Sequence, residues 1–329
     1  MAIIGAVAQS LARGPTGQAS VPEDDSLQAW NIAFNILSAL GFFLLTTVFL
    51  TALCSSRVKR VSTWYTYIVA WMVFCVPPFL IIGHQTPLDP PPSFAACVVD
   101  SALMYASRPF AAFATLALLL HLYLNVSTRL RNGQVRPEFV LALIVIPPIS
   151  YLGMLLYTLL LGIHAPDQVQ PEPQGFYCHI SSTTPAIVGA ALVVFGTTAA
   201  LLVEVLTVIL LWRNWCAFRA LQRRDEHAVS LSIIIRISVF GTFPVIGLIL
   251  SFTTYTPNLL DRIFPVYNII LALLPVAAGL IFGSQMDLIK VWMFWRAHEA
   301  PLKTEFGPTT SAGSGVPFFS SQTTTMDIN

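Results

Sequence analysis

Seven apolar runs of about 20 residues, the length a helix needs to cross a bilayer, leave this chain few folds to choose from. They fall at residues 30–53, 64–83, 95–126, 139–163, 185–212, 229–252 and 263–282. Charged residues make up only 10% of the 329-residue chain, against about 25% in an ordinary soluble domain. That is too little polar surface to clothe a water-exposed globule, and mean hydropathy is correspondingly high at +0.72. The runs do not alternate at every second residue as barrel strands do, so the expected fold is an all-α, seven-transmembrane helix bundle. Prolines interrupt the runs at Pro77-Pro78, Pro109, Pro147-Pro148, Pro244 and Pro275. Inside a bundle, neighbouring helices and hydroxyls can satisfy the carbonyls that a proline frees. The run at 95–126 is longer than a membrane requires and is expected to tilt or to project into water. A net charge of +1 gives no reason to expect nucleic acid; the first partner is the lipid bilayer.

The basic residues set an orientation. With the amino terminus outside, the inner segments hold Arg57, Lys59 and Arg60, then Arg129, Arg131 and Arg136, then Arg213, Arg219, Arg223 and Arg224, and finally Lys290, Arg296 and Lys303. Arg236 lies just inside the sixth run, and of all 17 Lys and Arg only Arg13, Arg108 and Arg262 fall elsewhere. The positive-inside rule then places the amino terminus outside and the carboxyl terminus in the cytosol of an integral, plasma-membrane protein. The outer tail, residues 1–29, is too short to fold as a ligand-binding domain. The helix bundle is expected over 30–285. Residues 286–299, "MDLIKVWMFWRAHE", set Trp292 and Trp295 beside Lys290 and Arg296, which suits an amphipathic helix in the inner interface. The Gly/Ser/Thr-rich remainder, 300–329, reads as a disordered cytosolic tail.

Of the five cysteines, Cys54 and Cys216 sit at the inner rim and Cys75 within the second run. Cys97 and Cys178 alone share the oxidising side, where two thiols normally pair. Their disulfide would pin the loop 162–183 over the mouth of the bundle.

Seven spans, a short outer amino terminus, the Cys97/Cys178 arrangement, basic inner loops and an amphipathic eighth helix together resemble the G-protein-coupled receptor superfamily, over about residues 30–298. The motifs depart from the rhodopsin class. His121-Leu122-Tyr123 stands in place of Asp-Arg-Tyr, Leu274-Pro275 lacks the Asn and Tyr of Asn-Pro-x-x-Tyr, and Phe243-Pro244 lacks a preceding Cys-Trp. The chain is thus similar to divergent receptor-like proteins of the fungal type. The resemblance implies a cell-surface receptor that passes a small-molecule or short-peptide signal to a cytosolic partner, a heterotrimeric G protein. Arg129, Arg131, Arg219, Arg223 and Arg224 would form the partner surface.

Competing seven-helix chemistries find no residues here. A retinal Schiff base needs a lysine in the seventh run, and Lys59, Lys290 and Lys303 all lie outside the runs. A zinc hydrolase needs converging histidines, and only His121 lies well inside a run. The expectation is a non-enzyme with no cofactor and no metal. A membrane transporter is the rival reading, because midspan charges are what a substrate path would use.

Those charges are the candidate site residues. Arg108 lies about 16 Å along the helix from Cys97 at 1.5 Å per residue. Asp100, Met104 and Arg108 share a stripe at i, i+4, i+8, which should face the bundle because lipid would not tolerate both charges. Pro109 removes a backbone donor and frees the carbonyl of Tyr105. Two roles stay open for Arg108. In the first it knits the helices through freed carbonyls, Asp100 or Tyr267. Alternatively it anchors a small acidic or carbonyl-bearing ligand in a cavity beneath the disulfide loop. A second set, Glu204 and Arg236 with His121 as a third member, is expected to form an interhelical ion pair, since the two charges lie at matching depth, about 11–12 Å from the inner surface. The alternative for Arg236 is to snorkel to the headgroups.

Overall fold

The computed structural model describes residues 24–55, 60–85, 89–131, 133–215 and 257–292. Seven helices organise them: α1 (Asp24–Cys54), α2 (Ser62–Phe74), α3 (Phe94–Leu130), α4 (Pro137–His164), α5 (Thr183–Arg213), α6 (Pro257–Gly283) and α7 (Met286–Trp292). Among the described residues, six segments are long and apolar enough to cross a membrane, so the chain is a helical, membrane-spanning type of fold. The run 229–252 lies outside the described residues, as do Arg219, Arg223, Arg224, Arg236 and the segments 1–23 and 293–329.

The second run is not one continuous helix. Pro77 and Pro78 cannot donate to the carbonyls one turn back, and the chain tightens ahead of them, with Cys75 N–H to Met72 O and Val76 N–H to Val73 O both at 3.1 Å. A separate helical turn, Pro77–Leu80, completes the crossing. Helix α1 begins at Asp24, ahead of the expected start at residue 30, and α3 extends to Leu130. The expected helix at 286–299 is observed as Met286–Trp292, its remainder lying outside the described residues.

Helix α3 is the hub, packing on α2, α4 and α5 and on the loop that follows α4. Its sequence makes this possible. Ala102, Ala106, Ala111, Ala114 and Ala117 are buried small residues that let neighbouring backbones approach. Gly196 of α5 crosses so near that an added Cβ would lie 3.2 Å from the Ala112 Cβ. Hydroxyls within the apolar helices are satisfied locally: Thr115 donates to Ala111 O and Thr158 to Met154 O, each at 2.7 Å. That back-bonding keeps their polar atoms away from lipid.

The bundle has two distinguishable ends. At one, Cys97 opens α3, the loop residue Phe176 meets Phe34 of α1 and Phe264 of α6, and α5 begins directly after the loop. At the opposite end, Val48, Trp64, Tyr67, Leu119, Leu122, Leu211, Phe282 and Leu288 form the largest apolar core. Trp292 of α7 docks there, its Nε1–H donating to Thr51 Oγ1 at 2.9 Å. Helices α1, α3, α5 and α6 therefore run from the disulfide end to the far end, and α2 and α4 run back.

Helices α1 and α6 touch through glycine. A Cβ on Gly279 would sit 2.7 Å from the Leu44 Cβ, and one on Gly41 would sit 2.9 Å from the Pro275 Cβ. By contrast nothing lies within 4 Å of a Cβ on Gly153 of α4. Gly279→Val is expected to lower stability by about 1–3 kcal/mol through overpacking, while Gly153→Val leaves it nearly unchanged. Thermal unfolding of the two variants in detergent checks this, and equal losses would contradict the close α1–α6 contact.

Candidate functional site

The polar groups converge at the disulfide end, beneath a β-hairpin formed by β1 (Val169–Pro171) and β2 (Cys178–Ile180). The turn between the strands has a single workable sequence at Gly175. Its φ is +76°, and a Cβ there would lie 2.1 Å from the Gln85 carbonyl oxygen. The left-handed region and the close approach both require glycine. Glu172 N–H donates to Tyr177 O at 2.9 Å and Gly175 N–H to Glu172 O at 2.8 Å. Amides of α1 hold the turn from the side: Asn31 Nδ2 donates to Gln174 O at 3.1 Å, and Asn35 exchanges amide hydrogen bonds with Gln85.

The Cys97–Cys178 disulfide is present and fastens β2 to the start of α3. Asp100, one turn along α3 and fully buried, accepts a 2.6 Å hydrogen bond from the Cys178 N–H through Oδ2. Its expected role toward a ligand is thus accompanied by a plain structural task, with Oδ1 left without a hydrogen-bond partner. Met104 is buried on the same helix.

Arg108 reaches back along α3 toward the loop, as helical side chains do, and meets Tyr177. Its Cζ lies 5.7 Å from the centroid of the Tyr177 ring, and the phenol interacts electrostatically with the guanidinium. Tyr267 of α6 and Tyr105 of α3 also interact electrostatically with the guanidinium. The structure therefore brings Arg108 and Tyr267 together, as the sequence suggested, and adds Tyr105 and Tyr177. Tyr177 had a signal, its place next to Cys178, but nothing in the sequence says that its ring turns inward. The Nε and Nη2 atoms of Arg108 are buried and have no hydrogen-bond partner among the described residues, and no described carboxylate forms an ion pair with the guanidinium. The carbonyl of Tyr105, freed by Pro109, faces Gly189 of α5, where an added Cβ would be 3.9 Å away.

Outside the helices, the hairpin carries its own titrating pair. His179 Nδ1 lies 3.1 Å from Glu172 Oε2, but the contact is poorly aligned for a hydrogen bond. Burial therefore governs both groups, pushing the Glu172 carboxyl up to about 7 and lowering His179. Burial also raises the Tyr177 phenol, with Arg108 pulling the other way.

The second candidate set is only partly described. Glu204 is buried on the stripe of α5 that includes Gly196, Thr197, Ala200, Thr207 and Leu211. Its Oε2 has no hydrogen-bond partner among the described residues, and Arg236 lies outside them. His121 Nδ1 is 2.7 Å from Thr63 Oγ1 of α2. Arg131 and Arg129 lie at the end of α3, at the far end of the bundle. Among the described residues no group of His, Cys, Asp and Glu is placed to hold a metal ion. No protein-family profile matches the chain, and no curated protein sequence matches it either.

The Glu172 shift has a testable sign. A carboxyl whose folded pKa is raised contributes stability that is present below its ordinary value of 4.5 and is lost as pH rises through about 7. Glu172→Gln is expected to gain stability over the parent above pH 7, with the difference vanishing at acid pH. His179 works in the opposite sense, its contribution fading as pH falls below its ordinary range, so the comparison must vary Glu172 alone. A pH series of thermal unfolding checks this, and a difference that is constant with pH would refute it.

Proposed function

We propose that this chain is a seven-helix receptor that binds a small ligand beneath the Cys97–Cys178 hairpin and presents its far end, including Arg129 and Arg131, to a cytosolic G protein. The observation that carries the reading is Arg108, half-buried on α3 with its Nε and Nη2 closed off from solvent. Those two nitrogens have no hydrogen-bond partner among the described residues, and the guanidinium is ringed by tyrosines from three elements and lies under a covalently fastened loop. An ionisable group this deep in an apolar bundle is by default a functional one.

Support for seven spans comes from the helices on either side of residues 216–256. Helix α5 ends at Arg213 at the far end of the bundle, and α6 begins at Pro257 at the disulfide end. Ends so placed call for one more crossing, and the apolar run at 229–252 has the length for it. Seven crossings put the two termini on opposite faces. Epitope tags at residues 1 and 329 in intact cells are expected to be accessible outside and inside respectively; both tags on one face would contradict it.

A transporter is the second reading, favoured by Glu204, a carboxyl deep on α5 with an oxygen lacking a described partner. One comparison separates the two. In vesicles containing the protein and a heterotrimeric G protein, compounds from a small-molecule library are expected to stimulate guanine-nucleotide exchange without being accumulated. Accumulation of a compound without exchange would replace the receptor with a carrier.

A further inference from the structure

We infer that the group recognised at Arg108 is a monocarboxylate, gripped side-on by the Nε–H and Nη2–H of its guanidinium. The inference rests on the ligand-binding reading above and deepens it by naming the ligand's chemistry.

The geometry of the guanidinium narrows the choice. A guanidinium presents two forks, an end-on one through Nη1 and Nη2 and a side-on one through Nε and Nη2. Among the described residues, the buried atoms without a partner are Nε and Nη2, which together make up the side-on fork. Tyr177 lies under the cation, 5.7 Å from Cζ to its ring centroid. The guanidinium is thus seated against a residue whose neighbour Cys178 is covalently fastened to α3. Two parallel N–H groups so placed match the two oxygens of a carboxylate, which is the acceptor that such a fork pairs with bidentately.

Charge and lining narrow the class further. Arg108 is the only described cation in this tyrosine cluster, while Glu172 interacts with both Tyr105 and Tyr177. A monoanion balances the arginine, whereas a dianionic phosphate would leave a negative charge uncompensated near Glu172. Tyr105, Tyr177 and Tyr267 surround the guanidinium and Phe264 packs on Tyr177, an aromatic setting that favours a planar, apolar body behind the acid. Leaving a buried guanidinium edge empty is costly, and an incoming carboxylate removes that cost as well as adding its own attraction.

The test uses the full chain purified in detergent, with benzoate, cinnamate and 4-hydroxybenzoate as probes. Their primary amides and phenyl phosphate serve as matched controls. The acids are expected to raise the unfolding temperature and to bind saturably, while the amides and the phosphate do not. Arg108→Lys keeps the charge but loses the fork, and should weaken acid binding by about tenfold or more. Tyr177→Phe keeps the ring beneath the cation and loses only the hydroxyl, so it should weaken binding less than Arg108→Lys. Equal binding of acids and amides, an unchanged affinity in Arg108→Lys, or no stabilisation by any acid in the panel would each overturn the inference. If the Arg108 variant does not fold, the acid-against-amide comparison on the parent and the Tyr177→Phe affinity decide the matter. Acid binding without nucleotide exchange would sink the receptor reading and leave this one standing. Exchange driven by a compound without a carboxylate would do the reverse.

Discussion

Three consecutive loop residues and one helix hold the disulfide end together. Phe176 packs between α1 and α6, Tyr177 meets Arg108, and Cys178 is joined to Cys97 and hydrogen-bonded by Asp100. Every one of those attachments but the first ends on α3. The helix thus carries a covalent bond, a buried carboxylate and a buried cation within its first four turns, all aimed at one strand of the hairpin. A carboxylate and a guanidinium in an apolar helix would be expensive in lipid. Buried against the loop, Asp100 and Arg108 become the fixtures that locate the hairpin, and the hairpin in turn sets Tyr177 against Arg108.

How much of this is legible in the sequence depends on the kind of physics involved. The apolar runs, the long third helix and the Cys97–Cys178 pair follow from length, burial and redox chemistry, which act residue by residue. The break after Phe74 is also local, because Pro77 and Pro78 cannot donate, and its place in the chain is visible. The partner of Arg108 is not local. Asp100 and Tyr267 are plausible from helical spacing and depth, but Asp100 is committed to the Cys178 N–H, a main-chain group without any sequence signature. Tyr177 meets the arginine because the hairpin turns it inward, and that turn depends on Gly175 fitting against Gln85 some ninety positions earlier in the chain. His121 is a similar case. Its depth suggests Glu204, yet Thr63 of α2 lies within hydrogen-bonding distance of its ring.

The far end is built on different principles. Its core is large and aromatic, with Trp64 and Tyr67 of α2 both edge-on to Phe282 of α6. Close approach of α1 and α6 depends on Gly41 and Gly279, since lipid supplies no hydrophobic drive for helices to associate and contact surface must supply the energy. The disulfide end is therefore held by specific polar and covalent bonds, and the far end by shape. Shape-held contacts tolerate sliding and repacking better than a disulfide does, so the two ends differ in how readily they can change.

Arg108 and His121 lie on the same helix, thirteen residues apart, or about 20 Å at 1.5 Å per residue. Between them, immediately after Arg108, stands Pro109, which leaves the Tyr105 carbonyl without its helical donor. The weakest point of the central helix is thus adjacent to its buried cation, and not at the far end where His121 meets Thr63. A change in what Arg108 holds acts directly beside the place where α3 bends most cheaply. Above that place the helix is fixed to the hairpin by Cys97 and Asp100; below it, α3 is packed by Leu118, Leu119 and Leu122. With the upper segment anchored covalently, any bend at Pro109 is taken up by the lower segment, where apolar packing is joined by the contact of His121 with Thr63. That asymmetry directs a movement beside Arg108 toward the opposite end of the bundle without any need for the hairpin itself to move.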